Sequence, residues 1–147
     1  MRRLVMSLGA AVLVGCAKQE APPAEAPMAP AVLNLADIAG SWTVNSMAEG
    51  SDSVLVTYTL TSTATGDAWT ITLPGRDPMP TTVTVSGDSA MTLAGPFESV
   101  LRKGVQVTTT GVLRLADGKL VGTTVARYAN AGADSVLRMR VEGTKNP

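Results

Sequence analysis

At 147 residues the chain has room for one domain and a leader, and its 12 basic and 12 acidic side chains cancel, which leaves no net charge to recruit nucleic acid or an anionic surface. It contains no histidine and one cysteine; Cys/His and Ser/His nucleophile arrangements and His/Cys metal sites are therefore excluded. Thr, Val, Gly and Ala dominate and aromatic residues make up 3%, a composition that favours strands over helices.

Residues 1 to 15 begin with Arg2 and Arg3, continue through an apolar run from Leu4 to Val14 and end on the small residue Gly15. The run is too short for a membrane span, which needs ~20 apolar residues, and has the layout of an export signal. The stretch Leu13, Val14, Gly15, Cys16 resembles the lipobox of bacterial lipoprotein precursors. That resemblance implies cleavage between Gly15 and Cys16, a diacylglycerol on the Cys16 thiol and acylation of the new amino group. Each buried methylene adds ~0.8 kcal/mol, so two or three chains hold a protein at a bilayer durably. Ala17 follows the cysteine. By the same resemblance this points to the outer membrane, facing the periplasm or the surface, in a cell that has one.

Residues 16 to 33 hold this cysteine and a Pro/Ala-rich linker with no apolar periodicity. The sixteen residues from Ala17 to Val32, at ~3.1 Å each in polyproline geometry, carry a domain up to ~50 Å from the bilayer.

The domain is expected over 34 to 147, and it too is nearly neutral. Setting aside Arg2, Arg3, Lys18, Glu20 and Glu25 leaves nine bases against ten acids. Alternating apolar and Thr-rich segments predict about eight strands, at 40 to 47, 53 to 62, 68 to 73, 81 to 86, 89 to 94, 105 to 116, 119 to 129 and 134 to 142. Val54, Val56, Tyr58 and Leu60 share one side of the second strand, and Trp69, Ile71 and Leu73 one side of the third. Val105, Val107, Leu113 and Leu115 share one side of the sixth unless Gly111 inserts a bulge. Asp117-Gly118 suits a two-residue hairpin turn, and Gly66-Asp67 and Gly87-Asp88 turn the chain similarly. These acids lack the dense spacing of a calcium loop, and no metal or cofactor is expected.

Successive hairpins without crossover helices predict an all-β, antiparallel up-and-down meander closed into a small barrel, with a small β-sandwich as the alternative. The residues 95 to 104 interrupt the rhythm. They read either as a short helical turn capping one barrel end, with Glu98 and Arg102 spaced for an ion pair, or as an extension of neighbouring strands.

Gly40-Ser41-Trp42, after the short helical-looking stretch from Leu35 to Ala39, resembles the start of lipocalin-like proteins. The resemblance implies an eight-stranded barrel in which Trp42 sits near the closed end under an arginine of the last strand, Arg138 or Arg140. Such a cation over an indole contributes ~0.5–2 kcal/mol.

Two roles follow, with catalysis not expected. The domain is a binding module that presents its loops to an envelope protein, with Arg76 and Met79 in the proline-stiffened loop 73 to 80 as candidate contacts. Alternatively it carries a small apolar ligand or lipid inside the barrel, against Tyr58, Trp69, Met91, Tyr128 and Met139. The same residues also serve simply to fill a solid core.

Overall fold

The computed structural model describes residues 31 to 147. The expected signal peptide, Cys16 and nearly all of the expected linker lie outside the described residues.

Eight antiparallel strands follow one another in chain order and close into a barrel, each paired with its sequence neighbours and β1 with β8. They are β1 Gly40–Ala48, β2 Val54–Ser62, β3 Thr70–Thr72, β4 Met79–Ser86, β5 Ser89–Glu98, β6 Gln106–Ala116, β7 Lys119–Tyr128 and β8 Val136–Lys145. The closed meander is the expected architecture, and the sandwich alternative falls.

Alternation sets the faces. On β2 Leu60 is buried while Thr57 and Thr61 are exposed, and around β3 Trp69, Ile71 and Leu73 are buried. On β6 Val107, Gly111 and Leu113 face inward, but Leu115, next to the last rung before the turn, is exposed. Gly111 makes no bulge, since both ladders run through it in register. The irregularity lies instead in β5 between Ala94 and Phe97, where Gly95 takes a φ of 111°. The tight turns form as their residues require: Asp117 and Gly118 have φ of 51° and 75°, both in the left-handed region.

Three differences from expectation stand out among smaller shifts of one or two residues at other strand ends. The third strand starts at Thr70 because Ala68 sits at φ 59° and breaks the extended backbone. The residues 95 to 104 form no helical turn: β5 continues through its bulge to Glu98. Glu98 accepts instead from the Gly104 N–H at 3.0 Å, and among the described residues no ion pair joins it to Arg102. β8 runs three residues beyond 142, to Lys145.

One end of the barrel is plugged. A 3-10 turn, Leu35–Ile38, is capped by Asn34, whose side-chain oxygen accepts from the Ala36 N–H at 3.0 Å. It lays the fully buried Ile38 across the barrel. The Ile38 carbonyl accepts from Trp42 Nε1 at 2.9 Å and from the Ser62 hydroxyl. Trp69 Nε1 donates to the Thr63 carbonyl at 3.0 Å. Both ends of the described segment are tied down here, Leu33 N to the Gly87 carbonyl at 2.9 Å and Asn146 N to the Ser41 carbonyl at 2.9 Å. Trp42, Val44, Leu60, Trp69, Leu120 and Val141 fill the core above the plug.

Candidate functional site

The opposite end is formed by four connections, 49–53, 73–78, 99–105 and 129–135. Below them lies a cavity of about 80 Å³. Its wall combines apolar side chains, Val56, Leu60, Leu73, Phe97 and Leu113, with the hydroxyls of Ser46, Tyr58, Thr81, Thr109 and Thr124. No charged side chain lines it. Small inward residues on neighbouring strands, Ala94, Gly111 and Ala126, leave this space.

The hydroxyls differ in their partners. Thr81 faces inward on β4 and is nine-tenths buried, and its Oγ1 has no hydrogen-bond partner. Burial pushes the Tyr58 phenol up to about 12, with the Ser46 hydroxyl beside it acting weakly the other way. Tyr58 is therefore a neutral donor across the physiological range.

The loop 99–105 is folded on itself at the mouth. Ser99 Oγ accepts from the N–H groups of Leu101 and Arg102, at 3.1 Å each, while Ser99 N donates to the Val105 carbonyl at 2.8 Å. Arg102 latches the loop to the next one: its guanidinium lies 4.0 Å from the Tyr128 ring centre and donates to the Asp134 carbonyl at 2.7 Å. Val100 and Leu101 consequently line the cavity yet stay about 40% exposed. Val54 and Val136 are exposed at the same end.

Of the residues expected inside, Tyr58, Tyr128 and Met139 line the cavity, whereas Trp69 is buried near the plug and does not reach it. Met91 requires correction. It points outward on β5 and is 49% exposed, because the strand turns its small residues, Ala90 and Ala94, to the interior. The cation over Trp42 is also corrected. Lys145 takes that place, its Nζ 5.5 Å from the ring centre, since Trp42 pairs with Lys145 in the β1–β8 ladder. Arg140 lies five rungs away opposite Met47 and pairs with Asp52 at 2.7 Å, and Arg138 is exposed near the open end.

In the loop expected to meet a partner, Arg76 donates to the Glu98 carbonyl and Met79 packs half-buried against the core. Arg76 thus ties its loop to the end of β5 at the rim. Val100 and Leu101 are not legible as mouth residues in the sequence because their spacing in 95 to 104 imitates one turn of helix, and neither is Val54, because the bulge at Leu55 has no local signal.

Among the described residues no three acidic, cysteine or histidine side chains group to hold a metal ion, and no helix is long and apolar enough to cross a membrane. Comparison with family models, with curated proteins and with solved structures finds no match in any of the three.

Proposed function

We propose that this chain is a lipid-anchored protein of the cell envelope whose barrel is a non-catalytic binding module for a protein partner. The observation that carries the reading is the contrast between the barrel's interior and its rim. A cavity of about 80 Å³ is well below the ~300–1,000 Å³ of ordinary ligand sites. The open end meanwhile exposes Val54, Val100, Leu101 and Val136 around latched loops. Met91, Leu93 and Val112 are exposed too, on the outer wall of β5 and β6, but only at the open end do exposed apolar residues adjoin an uncharged recess, the arrangement of an interaction site.

The anchor reading rests on Leu13, Val14, Gly15 and Cys16. It agrees with the direction of the chain, which enters the barrel at the plugged end beside Gly87. A tether attached there leaves the open end facing away from the membrane, the outer membrane in a cell that has one.

A second reading, a carrier of a small uncharged ligand, is favoured by the unpartnered Thr81 hydroxyl in the cavity wall. At this volume the ligand has few heavy atoms and is no lipid chain.

Site-specific photo-crosslinking in cells separates the two. A crosslinker at Leu101 or Val136 is expected to yield one recurrent envelope protein, and one at Lys119, on the plugged end, is expected to yield none. Equal labelling from both ends contradicts the partner reading. A small molecule co-purifying at one equivalent favours the carrier.

A further inference from the structure

The barrel's ladder is incomplete beside the mouth. β2 has nine residues, but only Thr59, Leu60 and Thr61 pair with β3. Among the described residues, the backbone of 54–58 makes no hydrogen bond on its β3 side, because β3 is only three residues long and the chain then leaves into the loop 73–78. A bulge opposite Ser46 and Met47 further loosens this half of the strand. Its sequence, Val54-Leu55-Val56-Thr57-Tyr58, has neither the lysine nor the proline that commonly protects a sheet edge.

This edge borders the cavity. Val56 and Tyr58 point into it, and Leu73, Val100 and Leu101 form the facing rim. Free backbone donors and acceptors next to an uncharged, mainly apolar recess are the two elements of strand addition. The ladder binds an extended chain, and the recess takes one of its alternate side chains.

The occupant comes from another chain. Both ends of the described segment are fastened at the plugged end. Residues 17 to 30 carry four prolines, which interrupt any ladder, and their longest proline-free run, 17 to 21, holds Lys18 and Glu20, ill-suited to an uncharged recess. A second copy pairing through the same edge fits poorly too, because its β2 already turns Val56 and Tyr58 into its own barrel.

We therefore propose that residues 54–58 of β2 take an extended, uncharged segment of a partner protein as an added strand, with one aliphatic side chain of that segment entering the cavity mouth. This deepens the partner-binding reading and rests on it.

The test titrates the full chain, in detergent, with a blocked heptapeptide of alternating threonine and valine, and with the same peptide N-methylated at alternate residues. Amide hydrogen exchange across 54–58 is expected to slow about tenfold with the first peptide, and N-methylation is expected to weaken binding by about tenfold or more. Leu101→Lys, at an exposed rim position, is expected to weaken it similarly, and Lys119→Ala not at all. No protection at millimolar peptide, or equal binding of the N-methylated form, overturns the proposal. So does protection that grows with protein concentration alone, which assigns the edge to a second copy. If rim crosslinks to a partner persist while these results fail, the partner reading stands and strand addition does not.

Discussion

Lys145 Nζ lies 5.5 Å from the centre of the Trp42 ring, joining the last strand to the first over the plugged end. Trp42 is 1% exposed and donates to the Ile38 carbonyl, so the indole holds the plug, the first strand and the last strand together. Trp42→Ala is expected to cost about 3–5 kcal/mol, and Lys145→Ala about 0.5–1 kcal/mol because the ammonium is exposed. Arg140→Ala is expected to cost at most about 1 kcal/mol, as a surface pair does. Urea denaturation of the three variants checks these costs, and a Lys145→Ala variant as stable as the parent chain, or an Arg140→Ala loss well above about 1 kcal/mol, contradicts the assignment.

Gly122 sits where no side chain fits, since a Cβ there would lie 1.9 Å from the Val112 carbonyl oxygen. Gly122→Ala therefore forces β6 and β7 apart, at an expected cost of about 1–3 kcal/mol or more. Gly122 and Gly118 are both glycines of the same hairpin region, but Gly118, with φ 75°, has open space around it. Its own replacement by alanine is expected to cost through backbone strain alone. Thermal melts of the two, with amide exchange of the β6–β7 ladder, separate the mechanisms: exchange is expected to accelerate along the ladder only in Gly122→Ala.

Much of this architecture is legible in the chain. Alternation assigns the β2 faces from Val56 to Leu60, but the bulge at Leu55 breaks it and leaves Val54 exposed instead of beside Val56 and Tyr58; Asp117-Gly118 locates a hairpin because its signal is local and has one physical reading. The cation over Trp42 was not legible, since it depends on how far β8 runs. The alternating apolar pattern stops near 142, and only pairing with β1 carries the strand to Lys145. Met91 was misread for a related reason: alternation gives two faces, and only curvature decides that Ala90 and Ala94 fit inside. The free half of β2 had no local signal at all, being a consequence of where β3 stops.

Thr81→Val removes a buried hydroxyl that has no partner while keeping the side chain's shape. Stability is expected to rise by about 1–2 kcal/mol, the desolvation cost of an unpaired polar group. Chemical denaturation measures it. A loss of stability in Thr81→Val would show that the hydroxyl is paired in solution.

Tyr58 makes stability depend on alkaline pH. Its phenol titrates near 10.0 in the unfolded chain and at about 12 when folded, chiefly because burial disfavours the phenolate. The unfolded state loses its proton first, so the stabilisation is complete below pH 10 and declines as pH rises from there toward 12. The decline amounts to about 1–3 kcal/mol. Tyr58→Phe is expected to remove this part of the alkaline loss while leaving the melt at pH 7 within about 1 kcal/mol. An unchanged alkaline slope in Tyr58→Phe would contradict the assignment.

Attachment to a membrane through Cys16 underlies the entire functional account, and intact-mass measurement of protein extracted from its native membrane tests it most directly. The predicted result is a chain that begins at Cys16, lacks residues 1 to 15 and carries the added mass of a diacylglycerol and an amide-linked acyl chain. A free thiol at Cys16, or a leader still attached to the mature protein, would contradict it.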